Sequence, residues 1–167
     1  SPLRMQYAKD LLFKAKPTVI KGNISECKAF YGLTSHAHGV DADILDAEDV
    51  YESAKWLEEL SRSTGCIVVC SGKTDIITNG DKTVCIRNGR AMMGCLTGTG
   101  CMLNVAIATF LACEDAFDAC VDATCYYEVA AEKTKADGPG TFHMYFMDEV
   151  YQLTEEDRRL FQIEVIK

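Results

Sequence analysis

Residues 65 to 72 read Gly-Cys-Ile-Val-Val-Cys-Ser-Gly, the most strand-like run in the chain, and it ends abruptly in small polar residues. A second run, Pro-Thr-Val-Ile-Lys-Gly-Asn at 17 to 23, has the same form: a buried, β-branched strand emptying into a loop. Helical patterns surround both. Met5, Ala8, Leu11 and Leu12 recur at helical spacing ahead of the first strand, and the segment after it predicts a helix capped by Ser25. Residues 47 to 62 place Val50, Ala54, Leu57 and Leu60 on one face, with acidic residues at the start, as in an amphipathic helix. After the second strand, residues 74 to 80 and 82 to 89 are β-branched segments meeting at Asn79-Gly80-Asp81, the composition of a hairpin. This order predicts an α/β fold whose sheet has parallel crossings and an antiparallel edge.

From Gly100 onward the pattern changes. Met-Leu-Asn-Val-Ala-Ile-Ala-Thr-Phe-Leu-Ala is apolar nearly all round, as expected of a helix buried inside a protein. Residues 116 to 136 form a second long helical pattern, closed by Asp137-Gly138-Pro139-Gly140. A further helix is expected from Phe142 to Leu153, and Thr154 with Asp157 three residues on has the form of a capping box. No linker divides the chain, so residues 1 to 167 read as one unit.

Composition limits the partners. A formal charge of −8 argues against a general nucleic-acid surface, because neutralising phosphates needs clustered Lys and Arg. An acidic protein can still hold an anion locally on the backbone N–H groups of a helix N-terminus. No apolar run reaches membrane-spanning length, and the first residues lack the apolar core of a signal peptide, so a cytoplasmic protein is expected. The nine cysteines are odd in number and contain no C-x-x-C pair. Cys66, Cys70, Cys113, Cys120 and Cys125 lie in apolar or alanine-rich settings and are expected to be reduced, buried small hydrophobes. The three histidines lack zinc-ligand spacing, and His36 and His38 fall in a turn-like segment where a solvated loop is expected.

Open α/β sheets bind ligands beyond the carboxyl ends of their strands. Lys21-Gly22-Asn23 and Ser71-Gly72-Lys73 are two such ends. A third candidate is the loop Leu-Thr-Gly-Thr-Gly-Cys at 96 to 101, directly before the apolar helix. There the small residues Gly98, Thr99, Gly100 and Cys101 let successive N–H groups face one concavity at a positive helix end, an anion hole suited to a transferred phosphoryl group. A plain glycine turn starting a core helix fits the same residues, and the lysine and hydroxyl of a Walker A loop are missing. Asn23-Ile24-Ser25-Glu26 likewise has two readings: Asn and Glu placed for phosphate and magnesium, or a loop residue and a helix-start charge.

Taken together, residues 17–26, 65–80, 88–103, 130–144 and 151–157 resemble, in order and spacing, the hydroxyethylthiazole kinase family. The resemblance runs over essentially the whole chain. It implies a ribokinase-like α/β/α sandwich with a mostly parallel sheet and an antiparallel edge hairpin. It also implies transfer of the ATP γ-phosphoryl group, with Mg²⁺, to the hydroxyl of 4-methyl-5-(2-hydroxyethyl)thiazole in thiamine salvage. Carried over by position, Lys21 and Ser71 would contact ATP, and Glu26, with Asn23 nearby, would serve magnesium. Gly98 would contact substrate within the anion hole, and Cys101 would occupy the position of the proposed catalytic base. An unperturbed thiol, with a pKa of about 8.5, is mostly protonated at neutral pH, so such a cysteine orients a hydroxyl more than it deprotonates it.

Lys21 stands where the family usually has Arg, which keeps charge but loses bidentate geometry. Lys73 stands where an acidic residue commonly follows. The resemblance also implies a separate N-terminal portion, with the first strands and an Asp-Pro-Val-Gly motif, making this chain the C-terminal, nucleotide-binding part of the domain. A homotrimer is the family's implied assembly. Three other functions remain open on sequence: a kinase for another small alcohol such as a pyrimidine or sugar, a non-catalytic nucleotide-binding remnant, and a redox sensor, the last disfavoured by the apolar settings of the cysteines.

Overall fold

The computed structural model describes residues 2–34 and 49–167; His36 and His38 lie outside them. The elements are α1 (Pro2–Ala15), β1 (Val19–Asn23), α2 (Ile24–Thr34), α3 (Val50–Thr64), β2 (Ile67–Ser71), β3 (Asp75–Thr78), β4 (Thr83–Ile86), α4 (Thr99–Phe110), α5 (Ala116–Lys133), α6 (Pro139–Gln152) and β5 (Ile163–Val165). Short 3-10 helices occupy Ala91–Cys95 and Glu155–Leu160. The strands are hydrogen-bonded in the order β1-β2-β3-β4-β5. β1 runs parallel to β2, with Val19 opposite Ile67 and Asn23 opposite Ser71, whereas β3 runs antiparallel to β2. The class is therefore α/β with a mixed sheet, and the hairpin supplies antiparallel strands as its turn residues require. β5, three residues long and mostly exposed, is too short and too polar in context to show a strand period in the sequence.

The chain falls into two compact units, the first comprising residues 1–72, 76–84 and 166–167, the second residues 73–75 and 85–165. In the first, Ile20 of β1 packs with Leu12 and Cys66 against Phe30, while Leu57, Leu60, Val68, Val69 and Ile77 are fully buried. α3 starts on Asp49, whose carboxylate accepts the Tyr51 N–H at 3.0 Å, and stops at Gly65 in the left-handed region. Its Arg62 donates to the carbonyl of Gly80 in the hairpin turn at 2.6 Å. Asn79 shapes that turn by accepting the N–H groups of Asp81 and Lys82. Glu58 accepts from the Thr83 hydroxyl at 2.8 Å and from Arg62 at 2.8 Å. Burial alone would raise its carboxyl, but the hydrogen bonds of Thr83, Arg62 and Lys167 outweigh that and hold it low.

In the second unit α5 is the central helix. Its Ala119, Cys120, Cys125, Val129, Ala130 and Ala131 are fully buried, because small side chains let neighbouring elements approach closely. Phe142 and Phe146 of α6, both fully buried, stack at 5.6 Å, and Tyr127 of α5 meets Phe146 edge-on at 4.8 Å. Asn88 joins β4 to the C-terminal segment: its amide donates to the Leu160 carbonyl at 2.9 Å and accepts the Gln162 N–H at 2.7 Å.

The capping box at Thr154 and Asp157 forms as the sequence predicts. The Thr154 N–H, at 2.9 Å, and then Lys133, at 3.0 Å, hold the Asp157 carboxyl below its usual 3.8. A carboxyl lowered in the folded state stabilises fully above its unfolded pKa and loses that contribution as pH falls through the folded one. Acid unfolding of Asp157→Asn, followed by circular dichroism, should therefore depend less on pH below about pH 4 than that of the parent; identical acid profiles would contradict the pairing.

Two expectations need correction. The cap of α2 is Asn23 rather than Ser25, because the strand runs straight into the helix and Asn23 is the last extended residue. And α4, apolar nearly all round, is not buried all round: Leu103 and Ile107 are, but Val105 is 69 % exposed, since that face borders an open cavity.

Candidate active site

The first unit gathers four of the predicted residues at the carboxyl ends of β1 and β2. Strand alternation places Lys21 on the same face as Val19 and Asn23, while Ile20 and Gly22 face the buried side. Across the parallel pair Asn23 is opposite Ser71, whose hydroxyl donates to the Gly22 carbonyl at 3.4 Å. Asn23 and Glu26 form a reciprocal capping box. The Asn23 side-chain oxygen accepts the Glu26 N–H at 2.9 Å, and Glu26 Oε2 accepts the Asn23 N–H at 2.8 Å. The helix-start reading of this motif is thus realised in the geometry. It leaves an exposed carboxylate, fixed in position at the end of a strand and at the N-terminus of α2. One carboxylate at such a rim fits Mg²⁺, a hard cation that binds through one or two carboxylates, water and substrate phosphates. Among the described residues no group of three or more His, Cys, Asp or Glu forms a protein-only metal cage.

Gly22 is required by this arrangement, and the sequence marked it only as a strand end. A Cβ there would sit 2.9 Å from Glu26 Cβ and 3.1 Å from its carboxylate oxygen. Gly22→Ala should push Glu26 out of the box and destabilise by about 1–3 kcal/mol, the range for overpacking, read as a lower urea midpoint. An unchanged midpoint would show that Glu26 is not held by this contact.

The second unit holds the other residues as one contiguous loop. The 3-10 helix ends at Cys95, Leu96 turns extended, and Gly98 takes φ +104, a conformation that strains any residue with a Cβ. Gly98 is the N-cap of α4 and, having no side chain, places no capping group over the first turn, formed by Thr99, Gly100 and Cys101. Its carbonyl accepts the Met102 N–H at 2.9 Å. Cys101 is exposed at the third helical position, where the helix dipole favours negative charge. Thr99 is tied on two sides: its hydroxyl reaches the Met93 carbonyl at 3.4 Å, and its carbonyl accepts the Tyr127 hydroxyl at 2.9 Å. Burial pushes the Tyr127 hydroxyl well up, so it remains a donor. Nothing in the sequence marked Tyr127, since a tyrosine in a long helix has no local signature of an anchor. Arg90 is a second unmarked residue: it donates to the carbonyls of Thr134 and Ala136 and lies 5.5 Å over the Phe142 ring, fixing the segment from which the loop departs.

All nine cysteines are free thiols. Cys27, Cys66, Cys70, Cys85, Cys120 and Cys125 are buried; Cys95, Cys101 and Cys113 are exposed, so the expected burial of Cys113 does not hold. It sits in the turn after α4, beyond the helix, where the alanine-rich pattern no longer implies a covered face. Burial pushes the thiols of Cys85 up to about 11 and of Cys120 and Cys125 up to about 12, which makes them poor nucleophiles. Brief iodoacetamide treatment of the native protein should give adducts at Cys95, Cys101 and Cys113 before any other position; early labelling of Cys120 or Cys125 in the mass spectrum would contradict the packing.

Fold and loop define an α/β protein in which a glycine, Gly98, caps the helix that follows the loop and makes no side-chain capping hydrogen bond. A model of the hydroxyethylthiazole kinase family matches residues 1–156. Hydroxyethylthiazole kinase 2 of Clostridium botulinum strain Hall is 38% identical over 160 residues, covering 93% of this chain and 60% of that protein. Hydroxyethylthiazole kinase of Thermoanaerobacter pseudethanolicus is 40% identical over 159 residues, covering 92% and 59%. A solved structure of a hydroxyethylthiazole kinase protein from Pyrococcus horikoshii OT3 superposes with a TM-score of 0.88 at 25% identity, over all of this chain and 61% of that one. The chain belongs to the hydroxyethylthiazole kinase family. It spans about 60% of the length of the curated relatives it matches.

Proposed function

We propose that this chain is the C-terminal, nucleotide-binding portion of a single ribokinase-like domain that transfers the ATP γ-phosphoryl group to the hydroxyl of 4-methyl-5-(2-hydroxyethyl)thiazole. The observation that carries the reading is family membership over residues 1–156; the loop at α4, capped by Gly98 without a side-chain hydrogen bond, is compatible with a transferred phosphoryl group. Charge on the transferring group spreads over its equatorial oxygens, so the first-turn backbone of α4 stabilises it at fixed positions. Gly98 lets the substrate's hydroxymethylene end approach the backbone without a Cβ in the way. Cys101 orients the attacking hydroxyl; as the hydroxyl oxygen bonds to the γ-phosphorus, the bond from that phosphorus to the ADP oxygen breaks, and the thiolate form of Cys101 takes up the hydroxyl proton. Lys21 contacts the nucleotide's phosphates and Ser71 lies near the nucleotide, both at the carboxyl ends of β1 and β2, and Glu26, set by Asn23, is the residue that would hold Mg²⁺. When bound, the cation neutralises phosphate charge.

On this reading the N-terminal portion completes the substrate pocket, the working assembly is a homotrimer, and the protein acts in the cytoplasm. No helix among the described residues is long and apolar enough to cross a membrane. The test is phosphorylation of the thiazole alcohol, alongside a pyrimidine alcohol and ribose, by a polypeptide of family length carrying these 167 residues. Preference for the thiazole alcohol supports the reading; preference for another alcohol replaces the substrate, and ATP binding without turnover on any of them indicates a non-catalytic remnant.

A further inference from the structure

Tyr127 is a side chain through which α5 reaches the loop at α4. Its ring is buried and meets Phe146 edge-on at 4.8 Å, and its hydroxyl donates to the Thr99 carbonyl at 2.9 Å. A phenylalanine would fill the same space without a buried hydroxyl to satisfy, so packing alone does not call for the oxygen. Its acceptor does. The Thr99 carbonyl belongs to the same planar peptide as the Gly100 N–H, and in a trans peptide the two point in opposite directions. Fixing the carbonyl from the α5 side therefore fixes the line along which that N–H points toward the open end of the helix. A carbonyl has two lone pairs, so the tyrosine adds to the helical bond of that group rather than replacing it. Drawing electron density toward the carbonyl oxygen also makes the N–H of the same peptide a stronger donor. Ordinarily a capping side chain ties the N–H groups at the second and third helical positions, here Gly100 and Cys101. Gly98 supplies none, and the first turn is instead oriented from its carbonyl side.

We propose that Tyr127 is a positioning residue for phosphoryl transfer: through the Thr99 carbonyl it aims and polarises the Gly100 N–H in the first turn of α4. It acts through the backbone and not on the reacting atoms. Burial pushes the hydroxyl well above its ordinary value, so it is a donor at neutral pH. Its contribution falls in the transition state, where charge on the transferring group must be met at fixed positions, and not in nucleotide affinity. The role rests on the proposed transfer at the α4 loop.

The test is Tyr127→Phe in a polypeptide of family length carrying these residues. With carbonyl-labelled threonine and amide-labelled glycine, NMR should show the Thr99 carbonyl carbon and the Gly100 nitrogen both moving upfield, the signature of a hydrogen bond lost from that peptide. The kcat for the thiazole alcohol should fall about tenfold, less than the roughly 10²- to 10³-fold attributed to deleting a whole donor, while KM for alcohol and ATP stays within about twofold. Phe146→Leu, which loosens the same packing and keeps the hydroxyl, should lower the urea midpoint and leave kcat within about twofold. An unmoved Thr99 carbonyl, an unchanged kcat beside an active parent, or an equal fall of kcat in Phe146→Leu overturns the positioning role and leaves the phosphoryl-transfer reading standing. A parent that binds ATP and phosphorylates no alcohol contradicts that reading instead, and the positioning role falls with it.

Discussion

Cys101→Ala, in a polypeptide of family length, should lower turnover of the thiazole alcohol by about 10²- to 10⁴-fold, the range attributed to a positioned proton acceptor, while ATP affinity stays within about twofold. The split between the two readouts follows from where Cys101 stands. It is exposed at the third position of α4, and its side chain holds no structural hydrogen bond among those that shape the loop. Removing the sulfur therefore leaves the backbone donors and the Thr99 anchors in place. Cys101→Ser separates orientation from proton transfer: if alignment dominates, serine should restore most of the lost rate. Steady-state kinetics with nucleotide binding measured on the same samples decides this. Turnover within twofold of the parent for Cys101→Ala would remove the residue from the mechanism.

Phe142→Ala should destabilise the protein by about 3–5 kcal/mol, the usual cost of deleting a large aromatic side chain from a core. Phe142 is fully buried, stacks on Phe146 at 5.6 Å and carries the Arg90 guanidinium at 5.5 Å. Its loss opens a cavity and also frees Arg90, which ties the segment before the α4 loop to the carbonyls of Thr134 and Ala136. Phe142→Leu, which keeps bulk but removes the ring, should cost less than half as much. Urea unfolding of the three proteins measures both values, and a change below about 1 kcal/mol for Phe142→Ala would mean that the site collapses around the smaller residue.

Much of the fold was legible because its strands and helices are punctuated locally. The apolar run at 65 to 72 became β2, Asn79-Gly80-Asp81 became the hairpin turn, and Ala54, Leu57 and Leu60 became the buried face of α3. What local pattern could not show was which apolar surface would be covered. Leu11 and Leu12 both fit the spacing of α1, yet Leu12 is buried and Leu11 is 63 % exposed; Val105 fits a buried helix and lies open. Burial depends on neighbours distant in sequence, and periodicity carries no information about them. The cap of α2 was misplaced because Ser25 and Asn23 are both good caps, and only the length of β1 selects between them.

The candidate site divides the same way. Gly98, Thr99, Gly100 and Cys101 are contiguous, so their arrangement could be read directly, and Asn23 with Glu26 announces itself by spacing. Tyr127 and Arg90 act through partners 28 and 44 residues away, at Thr99 and Thr134, and carry no local signal. Gly22 was visible as a residue but not as a requirement, because the need for it arises from the approach of Glu26 one helical turn later.

The most direct measurement is the fate of the γ-phosphoryl group. A family-length polypeptide carrying these residues, incubated with ATP, Mg²⁺ and 4-methyl-5-(2-hydroxyethyl)thiazole, should yield the thiazole phosphate and ADP in equal amounts by ³¹P NMR, with both products lost together in Cys101→Ala. ATP that binds and stays intact, or ADP that accumulates with inorganic phosphate and no thiazole phosphate, would contradict the assignment of the α4 loop as a phosphoryl-transfer site.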